Sequence, residues 1–165
     1  MSENKTISVG DSLPQAQLTL MTENGPTPVD SAELMGVGTT VLFAVPGAFT
    51  PTCSAKHLPG FTEHADAILA KGVDRIVCMA VNDIFVMDAW GKECGVGDKV
   101  IMAADGNGDF AQALGLEMDG RGFGMGLRSQ RFAMIIRDGR VDELMVESGG
   151  EFRVSSADYV LSKLG

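Results

Sequence analysis

Strands alternating with helical segments, followed by a tight hairpin and a last helix, predict an α/β layered fold with a mixed central β-sheet flanked by helices. Two stretches, residues 39–45 and 75–81, are β-branched and apolar on both faces, as strands covered by helices on each side are. The dipeptide Asp138-Gly139 lies between two further apolar runs and signals a two-residue type I′ turn. No internal repeat or low-complexity linker interrupts the chain, so one domain over residues 1–165 is expected.

Taken in order, residues 16–20 alternate weakly and read as a strand, and Asn24-Gly25-Pro26 reads as a turn. Asp30 or Ser31 caps a short helix through Met35, stopped near Gly36 and Gly38. Past strand 39–45, a helix from 52 to 71 sets Ala55, Leu58, Phe61, Ala65 and Ile68 on one buried face. Pro59-Gly60 falls inside that helix and predicts a kink or a split. Strand 75–81 leads to a helix over 83–93 that contains Trp90, then to a strand over 100–103. Residues 109–114 form a helical piece and 120–126 a loop. Runs 131–137 and 140–146 flank the hairpin turn, and Ser155 or Ser156 caps a final helix to Leu164.

Composition narrows the function. The chain has 165 residues, 45% hydrophobic and 21% charged, which suits a packed globular protein and not a disordered one. Its formal charge of −9 is spread along the chain and argues against nucleic acid or an anionic membrane as partner. No signal-like segment opens the sequence and no apolar run is long enough for a bilayer, so a cytoplasmic location with reduced thiols is expected. Three cysteines without a C-x-x-C pair fit neither a disulfide framework nor a zinc knuckle.

One of those cysteines stands out. Cys53 ends the run Pro46-Gly47-Ala48-Phe49-Thr50-Pro51-Thr52-Cys53, just past the buried strand and in the first turn of the next helix. Unpaired backbone N–H groups and the helix dipole there favour the thiolate, which is the reactive form. Chemistry in open α/β sheets collects just past the carboxyl ends of strands. An inert core cysteine is the alternative, yet Thr and Pro surround this one.

Pro46, Thr50 and Cys53 form Pro-x-x-x-Thr-x-x-Cys, which resembles the active-site signature of peroxiredoxins, thiol peroxidases with a thioredoxin-like fold. The longer string PGAFTPTCSAKHLPGF resembles the subgroup of plant type II and mammalian type V members. KGVDRIVCMAVND, the stretch from Phe85 to Trp90, and RFAMIIRDG extend the similarity over nearly the whole chain. The resemblance implies one bent helix after Cys53 and a homodimer. It also implies reduction of hydrogen peroxide and alkyl hydroperoxides at Cys53 through a sulfenic acid. An external thiol, glutathione with glutaredoxin or thioredoxin, would then restore the enzyme, with no metal, flavin or nicotinamide cofactor.

That chemistry needs donors for the charge that develops on the leaving oxygen, because lowering a thiol's basicity also lowers its nucleophilicity. Thr50 is the expected hydroxyl donor, with an N-cap role before Pro51 as its structural alternative. Arg131 opens an apolar strand and matches the family's active-site arginine; the alternative is a strand-end arginine reaching water. Pro46 is expected to shield the thiolate, and Arg128 to be supporting or exposed.

Other patterns carry less. His57 follows Cys53 by one turn and invites a Cys–His pair, but the resemblance requires no histidine base. Cys53, His57 and His64 share a helical stripe, yet Cys53 and His64 lie about 16 Å apart along a helix, too far for one zinc ion. Gly120, Gly122, Gly124 and Gly126 do not open a helix after a strand, so they are no dinucleotide loop. Cys78 reads as a core residue and Cys94 as a more exposed helix end. The segment from Gly150 to Ser156 has no cysteine where type V relatives carry a resolving one. A peroxide sensor and a non-catalytic binding module are the competing readings; catalytic turnover separates them from a peroxidase.

Overall fold

The computed structural model of the chain describes residues 6–148 and 151–164. The two ends of the expected 1–165 domain, and Gly149-Gly150 within the cysteine-free segment, lie outside the described residues. Among the described residues, nine strands run in chain order as β1 (Gln17–Thr22), β2 (Gly25–Asp30), β3 (Thr39–Ala44), β4 (Arg75–Ala80), β5 (Ile101–Ala104), β6 (Glu117–Asp119), β7 (Leu127–Ser129), β8 (Phe132–Arg137) and β9 (Arg140–Val146). Seven of them form a mixed sheet in the order β2-β1-β5-β4-β3-β8-β9, and β6 pairs with β7 separately. The central β3, β4 and β5 are parallel, and the flanking strands are antiparallel to their neighbours.

Helices α1 (Ser31–Met35), α2 (Leu58–Glu63), α3 (Ala65–Leu69), α4 (Ile84–Glu93), α5 (Asp109–Leu114) and α6 (Ala157–Lys163) cover the sheet. Strand alternation divides the interior into two cores. Val41, Phe43, Ile76 and Cys78 join Phe61, Ile68 and Trp90 on one face. Leu42, Ala44, Val77 and Met79 join Phe110 and Phe132 on the other. Each large apolar side chain buried this way contributes about 1.5–3 kcal/mol, which explains why both faces of β3 and β4 are apolar.

Local signals set the element ends. Asp30 accepts the Ala32 N–H while Glu33 accepts the Asp30 N–H, so α1 opens on a capping box. Asp83 and Ser156 cap α4 and α6 through their side chains. At the hairpin, Asp138 and Gly139 have φ of 50° and 80°, the two left-handed positions of a type I′ turn.

Two segments differ from the sequence expectation and a third agrees with it. Pro26, read as part of a turn, lies with Pro28 in β2, an edge strand where a missing N–H is tolerated. Residues 120–126 are a loop, as expected; it carries a 3₁₀ turn at Arg121–Phe123 and joins β6 to β7, two short strands that the sequence did not signal. The helix after β3 is one bent run, as the resemblance implies, with a break at His64. Its bend begins before Pro59, in a π turn at Cys53–His57. Pro59 has no N–H for the Ala55 carbonyl and its ring crowds that carbonyl, and the wider turn relieves the conflict.

Candidate active site

The sheet register brings together residues far apart in sequence. Ala44, the last residue of β3, pairs with Phe132, the first of β8, so Arg131 lies beside the exit of β3. Phe132 in turn pairs with Val146, and the Glu147 N–H donates to the Arg131 carbonyl at 3.0 Å. The turn after β3 leads directly to Cys53, the first residue of the π turn.

Cys53 has no exposed surface. Its flanking Thr and Pro do not keep it at the surface; the polar environment comes instead from Arg131. One guanidinium nitrogen, Nη2, donates to Cys53 Sγ at 3.0 Å, and Nη1 lies 2.8 Å from His57 Nδ1. His57 Nε2 lies 2.9 Å from the Ser155 carbonyl. A carbonyl only accepts and a guanidinium only donates, so Nε2 carries the proton and Nδ1 is the acceptor. Burial, then the charge of Arg131, push the His57 pKa down to about 3 against a small upward pull from Ser155, which keeps the ring neutral. His57 therefore holds Arg131, and the expected alternative of an arginine reaching into water does not apply.

Around this pair the 46–50 turn is tied down from several sides. Ala48 N–H donates to Asn82 at 2.9 Å, and Trp90 Nε1–H donates to the Ser54 hydroxyl at 2.9 Å. Gly47 is buried with Arg128, Thr50 and Met125 so close that a Cβ would lie 3.2–3.3 Å from each, so a larger residue would push on these side chains. Arg128 donates through Nε to Met125 at 2.8 Å and lies 3.5 Å from the Pro46 carbonyl, so it braces the turn instead of reaching the sulfur. Phe49 takes a left-handed φ of 65° within the turn, a strained setting for a bulky residue.

Thr50 departs from expectation. Its hydroxyl donates to the Gly47 carbonyl at 2.7 Å, and a hydroxyl has only one proton. The side chain neither caps the helix nor offers a free donor; it presents lone pairs, and Ser54 N–H reaches the Thr50 backbone carbonyl instead.

The other expected residues fall where their surroundings place them. Cys78 is fully buried in β4 opposite Phe43. Burial pushes its pKa well above the ordinary value, with Cys53 and Cys94 adding to the rise and Arg131 opposing it. Cys94 ends α4 and is half-buried, and burial followed by the charge of Glu93 raises its pKa. His64 leans toward Asp158, 3.2 Å away, and not toward Cys53. The carriers that sequence reasoning missed are Ser155, Phe152 and Glu147. Phe152 packs edge-on to His57 at 4.9 Å and lies 5.8 Å from the Arg131 guanidinium. Only His57 had a local signal, its place one turn after Cys53.

Residues 8–161 match the family model described as Redoxin. Peroxiredoxin-2B of Arabidopsis thaliana is 49% identical over 159 residues, covering 96% of this chain and 98% of that protein. Chloroplastic peroxiredoxin-2E-2 of Oryza sativa is 50% identical over 164 residues, covering 96% of this chain and 73% of that one. Among solved structures, reduced Prx3 of Vibrio vulnificus in complex with H2O2 superposes with a TM-score of 0.94. It is 50% identical, covering 97% of this chain and 100% of that one.

Proposed function

From the premise that this chain belongs to the Redoxin family, as a type II peroxiredoxin and thus a thiol peroxidase, we propose that Cys53 is the sulfur that attacks the peroxide. The observation that carries this assignment is the 3.0 Å contact from Arg131 Nη2 to a buried Sγ. A guanidinium so placed donates to the attacking sulfur and stays beside the oxygen atoms during attack. The thiolate forms an S–O bond to one peroxide oxygen and the O–O bond breaks. The other oxygen leaves with the electron pair and takes a proton, as water from hydrogen peroxide or an alcohol from an alkyl hydroperoxide. Cys53 remains as a sulfenic acid.

The remaining residues take supporting parts. Thr50, its proton engaged with Gly47, accepts the proton of the incoming hydroperoxide and orients it. Pro46 shields the sulfur at the start of the turn, and full burial restricts access to a group as small as O–OH.

Reduction by an external thiol completes the cycle, with glutathione and glutaredoxin or thioredoxin as donor. Two facts favour this: Cys78 is locked in a central strand with its thiol held protonated, and the sequence has no cysteine after Cys94. Peroxide consumption measured with each reductant system supplied separately tests the reading. Consumption should require one of them, and failure with every thiol donor would contradict it.

A homodimer would cover the exposed rings of Phe49, Phe85 and Phe123, which are 51%, 64% and 85% accessible. Sedimentation should give a dimer that Phe85→Glu weakens; a monomer in the parent protein would reject it. All three cysteines are free, as suits a reducing cytoplasm. Thiol tagging at lysis should find them reduced; stable oxidation of unstressed cells' protein would argue against that compartment.

A further inference from the structure

Arg131 is held by a closed circuit of hydrogen bonds that begins and ends on itself. Its carbonyl accepts the Glu147 N–H at 3.0 Å. The Glu147 carboxylate accepts the N–H groups of Arg153, Val154 and Ser155 at 2.8, 2.8 and 2.7 Å, and the Ser155 hydroxyl at 2.6 Å. Ser155 then offers its carbonyl to His57 Nε2–H, and His57 Nδ1 accepts from Arg131 Nη1. The four members come from three separate stretches of chain: 57, 131 with 147, and 155.

We propose that Glu147 is a positioning residue for peroxide reduction: by gathering the 153–155 turn, it aims the Ser155 carbonyl at His57, and His57 fixes the plane of Arg131 against Cys53. The inference rests on the roles assigned above to Cys53 and Arg131.

Geometry requires such a device. A planar guanidinium held at one nitrogen still pivots, and a second anchor on the other terminal nitrogen fixes its plane. His57 supplies that anchor only as the Nε2–H tautomer; the opposite tautomer would turn an N–H toward a cation that has only N–H groups. Ser155 selects the tautomer, and three successive N–H groups converging on one carboxylate fix where its carbonyl points. Glu147 stays ionised: burial pushes its pKa up, but bonds from the Ser155 hydroxyl and the three N–H groups outweigh that and lower it. Among the described residues no ion pair joins Glu147 to Arg131, so the carboxylate does not compete with Cys53 for the guanidinium. Phe152, from the same turn, covers both His57 and Arg131.

Glu147→Gln tests the circuit, because its NH2 group would face donors. Stopped-flow oxidation of Cys53 by H2O2 should slow about ten- to hundredfold, the scale of a misplaced catalytic group. Nitrogen NMR of the His57 ring should change from one protonated Nε2 to a mixture of tautomers. Ser155→Ala, which removes one donor, should slow oxidation about fivefold with the same NMR trend, and it decides the matter by itself if Glu147→Gln does not fold. A wild-type rate, or a slower rate with an unchanged His57 tautomer, would overturn the proposal and leave Glu147 a staple of the loop. Arg131→Met in the same assay separates the two claims. If it is slow while Glu147→Gln is fast, only the circuit fails; if Arg131→Met is itself fast, the underlying site assignment fails.

Discussion

Cys53 and Cys78 are both without exposed surface, share one core, and sit near enough for the charge of one to raise the pKa of the other. Their surroundings differ in one respect. Cys78 lies in β4, hydrogen-bonded to β3 and β5, and among the described residues no donor reaches its sulfur. Cys53 stands one turn beyond β3, where the antiparallel β8 delivers Arg131. Burial alone silences a thiol, because a thiolate without a partner is too costly in an apolar site. At Cys53 a fixed guanidinium stands beside the buried sulfur, a partner that the Cys78 sulfur lacks among the described residues. The contrast is thus between a sulfur in the ladder and a sulfur at its end.

The widest separation should come from swapping each sulfur for oxygen. Cys53→Ser should abolish peroxide turnover with the fold intact by circular dichroism, whereas Cys78→Ser and Cys94→Ser, singly or together, should keep most activity with glutathione and glutaredoxin. Loss of turnover in the Cys78 or Cys94 variant, with a disulfide from that residue to Cys53 as dominant product, would erase the distinction. Next in size, Arg131→Met should slow Cys53 oxidation by about 10²–10³, the usual loss for one donor aimed at developing charge. An equal rate in stopped-flow would reduce Arg131 to a strand-end residue. Smaller again, His57→Phe keeps the packing against Phe43, Phe61 and Phe152 but removes the acceptor for Arg131, and should slow oxidation about tenfold, the value of one charge-assisted hydrogen bond.

Acid should touch the same region through stability. Unfolded, the His57 ring takes a proton near pH 6.5, while folded it resists down to about 3. Between those values the unfolded chain binds more protons, so this contribution to stability falls with falling pH, by up to about 1.4 kcal/mol per unit. Glu147, whose pKa is lowered in the fold, adds to the loss below its ordinary 4.5. Asp105, raised by burial against the N–H bonds of Phe110 and Ala111, pulls the other way. Urea midpoints from pH 7 to 5 should slope less in His57→Phe than in the parent; identical slopes would contradict a buried neutral ring.

The sequence made legible what short-range physics decides. The doubly apolar β3 and β4, the Asp30 cap, the Asp138-Gly139 turn and the placement of Cys53 all rest on neighbours within a few residues. Arg131 was reached through family resemblance, and its proximity to Cys53 depends on the β3–β8 register, a contact 78 residues apart. The His57–Ser155 bond spans 98 residues and left no trace in periodicity or composition. β2 was hidden by its two prolines, which usually argue against a strand and are tolerated only because it lies at the sheet edge. The direction of the Thr50 hydroxyl was not legible, since it depends on the nearest carbonyl, here Gly47.

The most direct measurement is trapping of the sulfenic acid. The reduced protein is treated with one equivalent of H2O2 in the presence of dimedone, and its peptides are read by mass spectrometry. The account predicts the adduct on Cys53, with Cys78 and Cys94 unlabelled. An adduct chiefly on Cys78 or Cys94, with Cys53 still a free thiol, would contradict it.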